Sequence, residues 1–305
     1  LGVPGHLKRE YQECFWGILE PTDFPQFPGR YTHSGRGGIK RRGSSSRSQP
    51  KFPLSLEFRD HRGKDQKCAV LNFPAASDWV LSPPSKQDPS LLRNPFVYAL
   101  SRDCGQYALR TQFVEVFLNT GNRRLEYRKD YFGVYSFVEK ISGENGRVEL
   151  GKPDKASSPH GLSRGLLFKY DRPGPGERGL EVKDLEATFY LVSPKESELL
   201  HRDALILQQI LKDFALAVRS DNGSSPVSGK SFLKIIDEGS WHTWRWLGEL
   251  TGNIDLYRAS CFFHLPVSGP KAGLIKLGPV WDFDRSINSR DTRDDDPEVW
   301  VAGKK

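Results

Sequence analysis

The sequence is poor in several features that define common protein classes. Its 4 cysteines are scattered and form no CxxC pair, which argues against a zinc knuckle or a dense disulfide scaffold and favours free thiols. No apolar run approaches the ~20 residues that a membrane helix needs, and residues 1–28 lack the layout of a signal peptide. Methionine is absent and position 1 is Leu, as expected of a processed product or a fragment, so the cellular compartment stays open.

Most of the chain also lacks net charge. Its 305 residues include 45 Lys+Arg and 38 Asp+Glu, a net charge of +7. The segment from Gly29 to Lys51 carries seven basic residues and no acid, so the rest of the chain sums to zero. From Asp282 to Glu298 the sign reverses, with seven acids against three arginines. This distribution predicts one local anion-binding region rather than a protein that coats nucleic acid, and binding to nucleic acid is not expected.

Period-2 patterns predict strands in the first half of the chain. In KFPLSLEFRD, apolar residues alternate with polar ones, which indicates a half-buried strand followed by a turn at HRGKD. The segments TQFVEVFLN and YFGVYSFVEKI are rich in Val, Phe and Tyr, and they bracket a polar loop, so they predict two antiparallel strands. GLLFKYD predicts another short strand. Residues 1–34 show no periodicity and are expected to be irregular.

Helical spacing dominates later in the chain. PSLLRNPFVYALSRDCG predicts a short helix that ends at Gly105, with Pro95 disturbing its first turn. Ser193, Pro194 and Glu196 form a capping-box pattern, which predicts the start of a long helix that continues through residue 218. GSWHTWRWLGELTGN predicts a second helix, and GLIKLGPVWDFD a final short strand. Strands followed by helices indicate an α+β chain in two lobes.

Two acidic motifs are candidates for chemistry. In WDFDRS, Asp282 and Asp284 are two residues apart, so an extended backbone would direct both carboxylates to one face, where they can share a hard divalent cation. In GNIDLYRAS, Asp255 follows the Trp-rich helix and could position a hydroxyl group in phosphoryl transfer. The alternatives are a solvated or salt-bridged acid pair and an ordinary helix-end turn.

The basic segment GRGGIKRRGSSSRSQPK admits two interpretations. Glycines, hydroxyl groups and cations together suit a loop that covers phosphate groups. The same composition is typical of a flexible basic linker or an arm that binds polyanions.

Taken together, the chain resembles the CotH kinase family, the spore coat protein CotH-like atypical protein kinases. Six segments carry the resemblance, and they occur in the family's order over residues 36–300. They are IKRRGSSSRSQPKFPLSLEF, FPAASDWVLSPPSKQDPSLLRNPFVYAL, the pair FVEVFLN and YFGVYSFVEKI, LLFKYD, ELTGNIDLYRAS, and GPVWDFDRS.

The resemblance implies a divergent two-lobed protein-kinase-like fold that uses ATP and Mg²⁺ or Mn²⁺ to phosphorylate Ser or Thr hydroxyls of a protein substrate. Asp255 matches the catalytic-loop aspartate, and Asp282 matches the metal-binding aspartate. Asp284 would support the metal, and Ser260 stands where some relatives place an asparagine ligand. Further matching residues are expected to bind the nucleotide: Arg42, Ser44, Ser45, Lys51, Glu139 and Lys169. Lys51 is the candidate for the phosphate-binding lysine, with Lys169 as the competing alternative, and Glu139 would pair with that lysine or lie near the adenine.

The resemblance also implies a domain layout. We expect an irregular lead-in over residues 1–35, a kinase-like domain over 36–300 and a tail over 301–305 that belongs to a truncated C-terminal lobe. Within the domain, residues 36–171 would form a β-rich lobe and 172–300 a helix-rich lobe. Family members favour an extracellular or cell-envelope location. The alternative function is a non-catalytic surface, coat-assembly or adhesion protein of the same fold.

Overall fold

A computed structural model describes residues 7–20, 31–43, 46–121, 123–144, 146–152, 159–174, 176–294, 296 and 298–303. Strands form most of the regular elements of these residues, and the helices lie between groups of strands. The strands are β1 (Gln12–Ile18), β2 (His33–Arg41), β3 (Leu54–Arg59), β4 (Asp78–Ser82), β5 (Thr111–Phe117), β6 (Tyr131–Glu139), β7 (Leu166–Tyr170), β8 (Leu180–Val182), β9 (Ala187–Ser193), β10 (Cys261–Leu265) and β11 (Lys276–Leu277). The helices are α1 (Arg93–Asp103), α2 (Tyr127–Asp130), α3 (His201–Arg219) and α4 (Glu238–Leu250).

The chain divides into two compact units. The first comprises Leu1–Leu92 and Leu109–Lys140, and the second comprises Arg93–Ala108 and Ile141–Lys305. Helix α1 therefore belongs to the second unit, although the segments on both sides of it in sequence belong to the first. The predicted boundary between residues 171 and 172 stays a prediction.

The first unit is built on an antiparallel sheet in the order β1-β2-β3-β4-β6-β5. Alternate residues of these strands point to one face and contribute to a core that is mainly aromatic. Trp79 is fully buried among Phe58, Phe73 and Phe137, whose ring centroids lie 4.8–6.0 Å from its own. The strands predicted at β3, β5 and β6 are confirmed.

Two predictions for the first unit are wrong. Within residues 1–34, Gln12–Ile18 is a strand, and it pairs in antiparallel register with β2. Part of the basic segment, which the sequence predicts as a loop or a flexible linker, is also a strand: β2 spans His33–Arg41, and the residues expected to bind phosphate follow it. The glycines of β2 serve packing: a Cβ atom on Gly35 would lie 3.1 Å from the Trp16 ring, and one on Gly37 would collide with the Glu57 carbonyl. Trp16 lies across this surface and donates a hydrogen bond to the Arg36 carbonyl at 2.9 Å.

The second unit contains a sheet in the order β11-β10-β7-β9-β8, and its apolar core includes residues from α3. The predicted strand at β7, the helices at α1 and α4, and the final short strand at β11 are confirmed. The long helix is confirmed, but its predicted start is wrong: α3 begins at His201, because the backbone is still extended at Leu199 and Leu200, and Ala187–Ser193 is strand β9, which pairs with β7. The β-branched and aromatic residues of ATFYLVS favour that strand over the capping pattern at its end. Strands β8 and β10 were not expected either.

The observed architecture is thus a mixed α/β protein with antiparallel sheets and few helices. None of the helices in the described part of the chain is long and apolar enough to cross a bilayer.

Candidate functional site

Asp255 is held in a tight turn directly after α4. The helix ends where the Thr251 hydroxyl donates to the Leu247 carbonyl at 2.7 Å, and Gly252 then takes a positive φ of 64°. The Asn253 side chain accepts a hydrogen bond from the Asp255 backbone N–H at 3.1 Å. The local sequence therefore fixes the backbone of Asp255 while its side chain stays 36% exposed.

Asp282 and Ser260 meet through unusual backbone conformations. Ser260 has φ 59° and Asp282 has φ 64°, values that residues other than glycine rarely adopt. In this arrangement the Ser260 hydroxyl donates to Asp282 Oδ2 at 3.3 Å. Such backbone strain concentrates at functional sites, where the surrounding structure compensates for it.

Helix α1 supports the loop that carries Asp282 and Asp284. The Asn94 side chain accepts a hydrogen bond at 2.7 Å from the backbone N–H of Phe283, the residue between the two aspartates. Tyr98, one turn further along the helix, stacks on Trp281 with ring centroids 6.3 Å apart and planes 13° apart. α1 thus contacts the loop at both Trp281 and Phe283.

Carboxylates crowd around Asp282. Asp282 is exposed, yet nearby protein atoms displace part of its hydration, and Asp284, Asp255 and Asp171 add negative charge. Desolvation first, and these carboxylates second, raise the pKa of Asp282 to about 7. The nearby cation Arg285 is directed elsewhere, since its Nε atom lies 3.9 Å from Asp255 Oδ2 and its Nη1 atom 3.5 Å from Asp291.

Asp255 and Asp282 border a small recess that is open to solvent. Asp255, Ser260 and Asp282 supply polar groups, while Trp244 and Trp281 supply apolar walls. Asp255, Ser260, Asp282 and Asp284, which the sequence predicted as one site, therefore lie together in the second unit.

The carboxylates at this recess suit a divalent cation that keeps part of its water shell. Among the described residues, no group of three or more His, Cys, Asp or Glu side chains is arranged as a complete metal cage. Mg²⁺ does not need one, since it commonly takes one or two carboxylates and fills its other positions with water and substrate phosphate. A bound cation would relieve the mutual repulsion of the Asp282 and Asp284 carboxylates, so these oxygen donors fit Mg²⁺.

Lys169 also lies in the second unit, on β7. Its ammonium group is 3.2 Å from the Glu177 carboxylate and 5.8 Å from the centre of the Tyr190 ring. Strand β7 ends one residue later, and Asp171 follows it directly. Lys169 and the acid that acts on Asp282 are therefore only two positions apart.

The remaining predicted nucleotide-binding residues lie in the first unit. Lys51 donates from its ammonium group to the Val134 carbonyl at 2.9 Å, and burial lowers its pKa. The backbone N–H of Arg42 donates to the Pro53 carbonyl at 3.0 Å. Ser44 and Ser45 lie outside the described residues.

Glu139 has a different partner from those that the sequence suggested. Its fully buried carboxylate accepts a hydrogen bond from the Arg110 backbone N–H at 2.8 Å and another from the Arg110 guanidinium at 2.7 Å. The ammonium group of Lys51, by contrast, contacts a backbone carbonyl.

Sequence reasoning missed two residues of the site. Asp171 acts on Asp282 through its charge, and its position directly after a strand was the signal available. Asn94 had no such signal, because it lies 189 positions before Phe283 and the two meet only in the folded chain.

The described part of the chain is thus a mixed α/β protein with a cluster of acidic side chains beside a recess that is open to solvent. Within that class, residues 39–302 match the family model described as CotH kinase protein, and the chain belongs to this family. A search of curated proteins finds no matching relative.

Proposed function

We propose that the protein is an atypical protein kinase that transfers the γ-phosphate of ATP to Ser or Thr hydroxyls of a protein substrate. Membership of the CotH kinase family supports this proposal, and so does the carboxylate recess. The proposal includes the divergent two-lobed kinase-like fold, with residues 36–171 and 172–300 as its lobes.

Asp255 is the proposed catalytic residue. Its exposed carboxylate accepts a hydrogen bond from the acceptor hydroxyl and takes its proton as the new bond forms between that oxygen and the γ-phosphorus. The bond from the γ-phosphorus to the β–γ bridging oxygen breaks, and ADP leaves with the electron pair. Arg285, whose Nε atom lies 3.9 Å from Asp255 Oδ2, orients this carboxylate before the transfer.

Asp282, Asp284 and Ser260 are the proposed metal-binding side chains. When bound, Mg²⁺ or Mn²⁺ would neutralise charge on the phosphate groups. The loop that carries these residues is positioned by Asn94 and Tyr98, so its carboxylates are held in place before ligands arrive.

Roles in nucleotide binding are also proposed for residues of both units. Lys169 is the stronger candidate for a phosphate contact, because it lies in the same unit as the carboxylates, on the strand that leads to Asp171. Lys51 is the alternative. Arg42, Ser44, Ser45 and Glu139 are proposed to act around the nucleotide, Glu139 through Arg110.

The observation that carries the proposal is that Asp255, Ser260 and Asp282 line one recess in a chain of the CotH kinase family. The test is transfer of labelled phosphate from ATP to a generic acceptor protein in the presence of Mg²⁺ or Mn²⁺. Asp255→Asn and Asp282→Asn should each lower the rate about 10³-fold, because each removes a charge that acts on the reacting groups. Asp221→Asn, at an exposed turn of the same unit, is the matched control and should not change the rate.

Equal labelling by the wild type and both site variants would contradict the proposal. Absence of labelling, together with no shift in melting temperature on adding ATP and Mg²⁺, would instead favour the non-catalytic coat-assembly or adhesion role.

A further inference from the structure

The hairpin between β5 and β6 presents an aromatic cluster to solvent. Phe117, Tyr127 and Tyr131 form this hairpin cluster, with ring centroids 5.0–5.7 Å apart and the two tyrosines stacked at 10°. Tyr127 is 62% exposed. Three packed aromatic rings at a surface loop are more than the scattered apolar residues that any protein surface shows.

Apolar surface continues along the outer face of the same strands. Val114 and Val116 of β5 pack against the core of the first unit, so alternate residues point to the opposite face. On that face Phe113 is 45% exposed, and Val134 of the paired strand is 41% exposed. Apolar residues of this face, from the hairpin cluster to Phe113, therefore flank Glu115 of β5.

The cluster has a cationic rim. Arg124, Arg128 and Lys129 are all exposed. Glu126 lies 2.8 Å from the Lys129 ammonium, and Asp130 pairs with Arg123, which leaves the guanidinium groups of Arg124 and Arg128 without a carboxylate partner in the described part of the chain. The rim thus has positive charge available for a partner.

β5 is also an open sheet edge. It is the last strand of its sheet, and no backbone hydrogen bond from another described element reaches its outer side. Edge strands are normally protected by lysine, proline or inward-pointing charges. β5 carries one charge, Glu115, which accepts a hydrogen bond from the Tyr131 hydroxyl at 2.9 Å.

We propose that the β5 edge and the hairpin cluster form a docking site for an extended, acidic segment of another protein. The segment adds a strand to β5, places apolar side chains on the face that carries Phe113 and directs its carboxylates to Arg124 and Arg128. The positive rim selects an acidic partner, and the open backbone edge selects an extended one. This docking site lies outside the carboxylate recess and does not depend on phosphate transfer.

A synthetic peptide that alternates Glu with Val and Phe is a suitable probe, with fluorescence anisotropy of the labelled peptide as the measurement. Tyr127→Ser should weaken binding roughly tenfold, since it removes an exposed aromatic anchor. The double reversal Arg124→Glu and Arg128→Glu should weaken binding roughly tenfold or more and reduce its salt dependence. Val227→Ser and Lys230→Glu, at exposed positions of the second unit, should leave affinity unchanged.

Hydrogen–deuterium exchange separates strand addition from a contact through side chains alone. The peptide should protect backbone amides of β5, because their outer groups gain hydrogen bonds. Binding without protection of β5, or equal loss of affinity in the control variants, would overturn the proposal. So would a preference for single-stranded DNA over the peptide, which would assign the aromatic and basic groups to nucleic acid.

Discussion

The charged residues of the two units differ in how the protein itself satisfies them. In the first unit, Glu139 is fully buried and bonded to Arg110, and the Lys51 ammonium is bonded to the Val134 carbonyl. In the second unit, Asp282 faces other carboxylates, and its pKa is raised to about 7.

This difference separates structural charges from charges that are placed for a ligand. A buried carboxylate with an arginine on both oxygens has its charge compensated within the fold. Carboxylates that repel one another beside an open recess are compensated only when a cation enters. The acidic site of the second unit is thus the stronger candidate for chemistry. Substitutions in each unit test this difference.

The largest effect is expected from breaking the compensated pair. Arg110→Met should lower the free energy of unfolding by about 3 kcal/mol, because it leaves Glu139 buried and charged without its guanidinium partner. Urea denaturation measures this change. Lys140→Met is the matched control: Lys140 pairs with Asp78 at 2.7 Å, but both side chains are partly exposed, so the cost should stay below about 1 kcal/mol.

A second variant tests the cause of this loss. Adding Glu139→Gln to Arg110→Met removes the unpaired charge and should recover part of the stability. Equal destabilisation by the Arg110 and Lys140 variants would show that the two pairs are equivalent, and it would remove the basis for treating Glu139 as structurally compensated.

Local patterns predicted most of the regular elements, and the misses have physical causes. β3, β5 and β6 were predictable because alternating or β-branched residues recur along each of them. β1 lacks a clean alternation, because apolar Phe15 stands between Cys14 and Trp16, and it pairs with the glycine-rich β2, a long-range contact that local patterns do not supply. β9 was missed because its end coincides with a helix-start pattern.

The candidate site was predictable in its residue types rather than in its geometry. Asp255 and Asp282 stand in short motifs, and the family resemblance joins those motifs into one site. The positive φ values of Ser260 and Asp282 and the contact from Asn94 depend on the folded chain. The partner of Glu139 depends on the pairing of β5 with β6, which brings Arg110 beside it.

Removing the contact between α1 and the acidic loop of the second unit should have an intermediate effect. Asn94→Ala removes the acceptor for the Phe283 N–H, so the loop that carries Asp282 and Asp284 loses one of its supports. We expect Mg²⁺ affinity, measured by isothermal titration calorimetry, to fall roughly tenfold, the equivalent of one hydrogen bond. Asn222→Ala, at an exposed turn, should leave the affinity unchanged. Equal affinities for the wild type and Asn94→Ala would show that the loop does not need α1.

The smallest expected effect is a pH-dependent gain in stability when Asp282, whose charge is repelled by its neighbours, is replaced. The pKa of Asp282 in the folded protein is about 7, above its ordinary value of 3.8, so ionisation of this group opposes folding. Between about pH 4 and pH 7 the folded protein binds more protons than the unfolded chain, and this residue therefore lowers stability as pH rises. Asp282→Asn should raise the melting temperature of the metal-free protein most at about pH 8, and the gain should disappear near pH 4.

Solvent that reaches Asp282 limits this gain to less than about 1 kcal/mol, or no more than about 3 °C. Differential scanning calorimetry in the presence of a chelator measures it, with Asp221→Asn as a control whose exposed carboxylate should give no pH-dependent difference. Added Mg²⁺ should reverse the order by stabilising the wild type alone, because only the wild type keeps both carboxylates. A gain that is independent of pH would mean that repulsion between Asp282 and its neighbours is not its source, and the contrast between the two units would then rest on geometry alone.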